Sequence, residues 1–213
     1  MKFLQDDTVL TRALSRFIEI VLANALWLIG SLPVFTAGAS TTALYSVTLS
    51  MAEGDGQGII STFFASYKKN FLRSTAVFFA LLFAGVFLAA DLWSAAHWDV
   101  PFQFILEILI LSAGYFYLLI ASHAFAGLAY FSGSPFHVLK KVFGLAVRNG
   151  IYTVFVMVLS VFPFLFLAKQ FASVYFGQWL ILFLLFGNGL IAYLNSLHLA
   201  RLFASDAQRG AGA

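Results

Sequence analysis

The chain contains no cysteine, and only 10% of its 213 residues are charged. The absence of cysteine excludes disulfides, thiolate catalysis and cysteine-ligated metal sites. The scarcity of charge argues against a water-soluble globule. Because 62% of the residues are hydrophobic and the mean hydropathy is +0.92, the chain has too little polar surface to cover a soluble globule of this size. A lipid bilayer must therefore be the solvent for most of the chain.

The sequence also lacks the motifs of common catalytic and cofactor sites. There is no G-x-x-x-x-G-K-[ST] loop to bind a nucleotide and no H-E-x-x-H helix to bind zinc. Ser122 and His123 are sequence neighbours, and we expect them to point about 100° apart around a helix, too divergent for a nucleophile and its base. His97 and Asp99 are only two potential metal ligands without a third. The sequence thus predicts a non-enzymatic protein without catalytic residues, cofactor or metal.

What the chain has in abundance is long apolar runs. Five of them are long enough for a helix across the hydrocarbon core, which takes about 17–25 residues. None alternates apolar with polar residues as the strands of a membrane barrel do. We therefore predict an all-α polytopic membrane bundle forming a single domain over residues 1–213. The five runs are residues 17–35, 74–92, 102–131, 151–168 and 174–199.

Basic residues favour a sixth, shorter crossing at residues 36–52. With five crossings, the best orientation places eight Lys and Arg on the cytoplasmic side and four outside. If Thr36 to Ala52 also crosses, eleven of the twelve lie inside, all except Lys169, and both termini are cytoplasmic. We therefore predict six transmembrane helices, and no cleaved signal peptide at the polar amino terminus.

The sixth segment is short and polar. At 1.5 Å per residue its 17 residues cover about 25 Å of a hydrocarbon core that is about 30 Å thick. Gly38, Thr42, Ser46 and Ser50 recur every four residues and form a ridge of small side chains on one helix face. We expect the segment to be enclosed by its neighbours, with the ridge serving close helix packing. The alternative is a hydroxyl-lined path for a solute.

Two basic linkers are predicted to form cytoplasmic interfacial helices. Residues 59–71 place their apolar side chains largely on one helical side, and a second linker around Phe136 repeats the spacing of aromatic and lysine residues. The net charge of +3 is concentrated at such ends of apolar runs, which indicates topology and lipid headgroup contact rather than nucleic-acid binding. The cytoplasmic basic clusters are Lys68, Lys69, Arg73, Lys140, Lys141 and Arg148.

Polar side chains inside the runs are the remaining candidates for a site. Glu107 lies about two turns into its run and is the carboxylate most deeply placed. Asn188 and Asn195 are seven residues apart and share a face of the last helix. Hydrogen bonding between helices is the favoured role for the two asparagines, and a place along a solute path is the alternative.

Essentially the whole chain resembles a known family. The pattern L-P-V-x-T-x-G-A-x-x-T-A-L-Y from Leu32 to Tyr45, followed by FFASYKKNFLRST at 63–75 and IAYLNSLHLARLFA at 191–204, resembles the YesL family of bacterial membrane proteins. The candidate motif and helix-packing residues are Leu32, Pro33, Thr36, Gly38, Thr42, Tyr45 and Ser46.

The resemblance implies a bacterial plasma-membrane protein of a family without an established biochemical activity. It implies an association with carbohydrate uptake, so that the chain would serve as an accessory or assembly component of an ABC-type sugar importer. Its expected partners are then the lipid bilayer and importer subunits, or a second copy of itself. The alternative is a small solute transporter or channel in its own right.

Overall fold

The computed structural model describes residues 9–54, 58–97, 103–171 and 173–211, and these residues are almost entirely helical. A 3-10 turn, Val34–Thr36, precedes α2, and a π-helical turn, Phe183–Gly187, joins α7 to α8. The helices are α1 Val9–Gly30, α2 Ala37–Glu53, α3 Ile59–His97, α4 Gln103–Tyr130, α5 Pro135–Arg148, α6 Gly150–Gln170, α7 Phe176–Leu182 and α8 Asn188–Ala211.

Five helical segments in the described part of the chain are long and apolar enough to cross a membrane. They contain α1, α3, α4, α6 and the joined α7 and α8, and each overlaps one of the five apolar runs. The chain is therefore a polytopic membrane helical bundle, as predicted. Helix α2 is shorter than these five, and its crossing of the membrane stays a prediction.

Helix α2 lies at the centre of the bundle. Eleven of its 17 residues are buried, and it packs against α1, α3, α4 and α8. Its polar residues are kept from lipid in this way, because neighbouring helices supply their hydrogen-bond partners. The expected enclosure of residues 36–52 is confirmed. The left-handed conformation of Gly54, with φ of 81°, ends the helix at Glu53.

The first basic linker differs from the expectation. Residues 59–71 are not a separate interfacial helix but the first third of α3, whose 39 residues extend for about 58 Å at the usual rise. Phe63, on the apolar side of this segment, is buried, so part of the face expected to meet lipid instead packs inside the protein. The hydrophobic pattern could not distinguish lipid from the protein interior, because both are apolar.

The second basic linker is a separate amphipathic helix. Pro135 occupies the first turn of α5, and the Ser134 hydroxyl accepts a hydrogen bond from the His137 backbone N–H at 3.3 Å. Val138 and Val142 on its apolar face are buried in one cluster with Val77 of α3 and Leu128 of α4. Helix α5 is thus held against the bundle by its apolar face.

Two features considered in the sequence lie partly outside the described residues. These are the polar amino terminus with Lys2, and the pair His97 and Asp99, of which only His97 is described.

Candidate functional site

The small-residue ridge of α2 forms a close contact with α3. The Thr42 and Ser74 hydroxyl oxygens lie 2.7 Å apart, and those of Ser46 and Ser66 lie 2.6 Å apart. A Cβ atom on Gly38 would come within 2.5 Å of the Ser74 carbonyl oxygen, so the two backbones meet there because residue 38 is glycine. Gly38, Thr42 and Ser46 thus lie in a contact between two helices, the use that the sequence favoured for them.

The other motif residues shape the turn into α2. The Thr36 hydroxyl oxygen lies 2.6 Å from each of the carbonyl oxygens of Gly30 and Pro33, which share its single proton. Gly30 is the last residue of α1, where carbonyl groups lack partners within the helix. Leu32 and Pro33 are themselves exposed at this turn. The motif therefore specifies a tight connection between two antiparallel helices.

A polar centre lies on the side of α2 that faces α6 and α8. We use this name for Tyr45, Ser160, Asn188 and Asn195. Asn195 is fully buried, and its Nδ2 atom donates to the Tyr45 hydroxyl at 3.2 Å and to the Ser160 hydroxyl at 3.0 Å. One turn along α2, the hydroxyls of Thr48 and Ser196 lie 2.8 Å apart. Three helices are thus joined by hydrogen bonds around one asparagine.

A cavity of about 130 Å³ adjoins this centre, and it is lined by polar and aromatic groups including Trp27, Thr41, Tyr45, Ser122, Ser160 and Asn188. At the wall of this cavity, Nδ2 of Asn188 has no hydrogen-bond partner among the described residues. It is a donor, and a buried donor is costly to leave unpaired. Oδ1 of Asn195 is also unpaired, but Asn195 does not itself line the cavity. The cavity can therefore hydrogen-bond water or a small neutral polar molecule.

A second buried asparagine, Asn24, forms hydrogen bonds with the backbone at the π-helical turn. Its Nδ2 atom donates to the Leu184 carbonyl oxygen at 2.6 Å, and its Oδ1 atom accepts from the Gly189 N–H at 2.7 Å. A π-helical turn interrupts the regular hydrogen-bond ladder, so backbone groups at its ends need other partners. Asn24 supplies them from a different helix.

Glu107 does not belong to the polar centre. It lies in the first turn or two of α4, and its Oε1 atom accepts a hydrogen bond from Gln103 Nε2 at 2.9 Å. Gln103 also donates to the Ala95 carbonyl oxygen at 3.1 Å, so this pair joins the adjoining ends of α3 and α4. Asn188 and Asn195 are brought to one region, as their spacing predicted, and Glu107 is not.

The expectation that Ser122 and His123 diverge is wrong, because Ser122 Oγ lies 3.0 Å from His123 Nδ1. That nitrogen also lies 3.0 Å from the Leu119 carbonyl oxygen, which can only accept a hydrogen bond. Nδ1 therefore carries the proton in the neutral ring and is not positioned to remove one from Ser122. In the part of the chain that the structure describes, no group of three His, Asp or Glu residues could hold a metal ion.

The basic clusters lie outside the polar centre. Lys68, Lys69, Lys140 and Arg148 are exposed. The remaining two make tertiary contacts. Arg73 donates to the Phe131 carbonyl oxygen at 3.4 Å, while Lys141 pairs with Asp206 at 2.9 Å.

Sequence reasoning missed Ser160 and gave no role to Asn24. Both stand as isolated polar residues within long apolar runs, and that isolation is the signal that could have drawn attention to them. Which helix each one faces depends on packing between distant segments, which the sequence alone does not give.

Fold and site together define a multi-pass helical membrane protein with a buried, uncharged polar centre. Residues 20–92 match the profile of a protein family described as "Protein of unknown function, DUF624". The matched stretch includes α2 and the turn before it, together with the second half of α1 and most of α3. No curated protein and no solved structure matches the chain.

Proposed function

We propose that this chain is a non-enzymatic bacterial plasma-membrane protein of the YesL type, an accessory or assembly component of an ABC-type carbohydrate importer. YesL proteins belong to the DUF624 family, and the matched residues include the Leu32 to Tyr45 motif on which the resemblance rests. In this proposal both termini are cytoplasmic, and an importer subunit hydrolyses the ATP.

The feature that best supports an accessory role is the hairpin of α3 and α4. Beyond Val77, Ala95 is the one described α3 residue that is buried, and the buried residues of α4 begin at Leu119. The intervening parts of the two helices pack on each other and present large apolar side chains outward, such as Phe83, Phe87 and Phe104. A hairpin of this kind offers a lateral surface within the membrane to lipid or to another membrane helix.

Gly114 offers a position at which to test this surface, because a Cβ atom there would meet no other atom within 4 Å. In the proposal, Gly114→Trp reduces recovery of importer membrane subunits when the protein is purified in mild detergent. Gly144→Trp is the matched control, since Gly144 on α5 is equally open. Recovery of the wild type only as a monomer, with normal sugar uptake after deletion of its gene, would count against the accessory role.

The polar centre supports a second candidate, a small transporter or channel. The unpaired amide nitrogen of Asn188 lines a cavity and is suited to a neutral polar solute, and Asn195 holds Tyr45 and Ser160 at the wall of that cavity. In liposomes with purified protein, flux of such a solute should fall with Asn195→Ala and stay unchanged with Glu107→Gln. Flux insensitive to Asn195→Ala would remove the polar centre from the pathway.

A further inference from the structure

A second cavity lies where α4, the junction of α5 and α6, and α8 meet. Its volume is about 200 Å³, enough for several water molecules, and it is separate from the cavity at the polar centre. None of the described residues that line it is acidic. The polar side chains around it are His123, Asn149, Tyr152, Thr153, His198, Arg201 and Ser205.

His123 supplies a hydrogen-bond acceptor at the base of this cavity. The side chain is 1% exposed, and its Nδ1 atom is bonded to the carbonyl oxygen of Leu119 in its own helix. In the neutral ring the proton is therefore on Nδ1, and Nε2 carries a lone pair. Nε2 has no hydrogen-bond partner among the described residues, although the ring lines the cavity. A hydroxyl group in the cavity would satisfy it.

Arg201 supplies positive charge at the opening. It is exposed and forms no ion pair with any described residue. A guanidinium group matches the oxygens of a phosphate with paired hydrogen bonds. One turn before it, His198 lies against the aromatic rings of Tyr152 and Phe155, with centroid distances of 5.9 and 4.8 Å. The opening of the cavity therefore carries positive charge, and His198 beside it is held by aromatic contacts.

We propose that this cavity binds a phosphate ester that carries free hydroxyl groups, with the phosphate at Arg201 and a hydroxyl donating to Nε2 of His123. Glycerol phosphate has this chemistry, and it occurs free in solution and as the headgroup of phosphatidylglycerol. The basic residues at the neighbouring helix ends suit either source, because they raise the local concentration of anions.

Two probes distinguish the sources, using full-length protein in nanodiscs of phosphatidylcholine. Phosphatidylglycerol is added at low mole fraction and the bound lipids are counted by native mass spectrometry. Binding of free glycerol phosphate is measured by calorimetry, with ethyl phosphate as the probe that lacks hydroxyls. Retention of the lipid alone assigns the site to a headgroup, and binding of the soluble ester assigns it to a free ligand.

The variants act at the opening, where folding is least affected. Arg201→Gln removes the charge, and Ser205→Trp obstructs the exposed rim. Each should weaken binding by at least about tenfold, the loss expected for one charge-assisted hydrogen bond. Lys68→Gln, an exposed cation on α3, should leave it unchanged. Binding of neither probe, equal binding of ethyl and glycerol phosphates, or wild-type affinity in both variants would overturn the proposal.

Discussion

The amide of Asn24 lies between two backbone groups of another helical segment, with Oδ1 2.7 Å from the Gly189 nitrogen and Nδ2 2.6 Å from the Leu184 oxygen. Leu184 and Gly189 are five residues apart, the spacing of a π-helical hydrogen bond. The first helix thus stabilises the irregular turn that leads into the last one. This contact joins residues about 165 positions apart in the chain.

The first prediction concerns the stability of this contact. Asn24→Ala leaves two backbone groups unpaired, one buried and one partly buried, at about 1–3 kcal/mol each, and should lower the free energy of unfolding by about 2–6 kcal/mol. Asn188→Ala is the matched control, because the Asn188 side-chain nitrogen has no partner among the described residues. Chemical unfolding in detergent measures both variants, and equal losses would contradict the role given to Asn24.

The second prediction compares two glycines at helix contacts. In Gly38→Ala the new Cβ would lie 2.5 Å from the Ser74 carbonyl oxygen, so α2 and α3 must separate, at a cost of about 1–3 kcal/mol. In Gly85→Ala the nearest atom, also at 2.5 Å, is the hydroxyl of Tyr117, the end of a side chain that can turn away. Both substitutions gain the same helix propensity. The melting temperature should therefore fall for Gly38→Ala and change little for Gly85→Ala, and a reversed order would contradict the packing described.

The sequence predicted the general architecture well, because the bilayer imposes a simple rule on length and polarity. The short segment at 36–52 corresponds to α2 at Ala37–Glu53, and its polarity correctly indicated enclosure. The pairing of Asn195 with Tyr45 and Ser160 was not predictable, since periodicity gives the face of a helix but not its neighbour. Residues 59–71 were assigned to the membrane interface because their periodicity likewise did not show which neighbour their apolar face contacts.

The third prediction concerns the ion pair between α5 and α8. Lys141 Nζ lies 2.9 Å from Asp206 Oδ2 and 4.2 Å from the centre of the Phe131 ring, whereas the neighbouring Lys140 is exposed. Lys141→Gln should lower the free energy of unfolding by about 1 kcal/mol, and Lys140→Gln should have almost no effect. The difference should shrink in about 1 M salt, which screens charges that are partly exposed. Identical unfolding of the two variants at low salt would show that the pair adds no stability.

The fourth prediction measures the coupling inside the polar centre. The Asn195 amide donates to the Tyr45 hydroxyl at 3.2 Å, so Tyr45→Phe and Asn195→Ala remove the same hydrogen bond. Their double-mutant cycle should give a coupling of about 0.5–1.5 kcal/mol. Tyr45→Phe combined with Glu107→Gln should be additive, because Glu107 bonds to Gln103 elsewhere in the bundle. Additivity in the first pair would mean that the hydrogen bond is not formed in the membrane.

Helix α2 packs antiparallel to α3 with an unexpected alignment. Thr42 meets Ser74, Ser46 meets Ser66 and Gly38 lies against Phe78, so α2 lies beside the part of α3 that carries Lys68 and Lys69 and overlaps the apolar stretch at 74–92 only at its start. Both lysines are exposed. If α2 crosses the membrane, their long side chains must therefore extend along the protein surface to reach water.

The last prediction tests whether α2 crosses. The natural absence of cysteine allows single cysteines at exposed positions to be labelled without background. With six crossings, Leu10→Cys at the start of α1 and Ser61→Cys at the start of α3 react from the cytoplasmic side, and His97→Cys reacts from outside. If α2 does not cross, Leu10 and Ser61 lie on opposite sides, since α1 alone then separates them. A membrane-impermeant maleimide applied to intact cells and to inverted vesicles distinguishes the two arrangements. Labelling of Leu10→Cys from outside, with Ser61→Cys protected, would reduce the number of crossings to five.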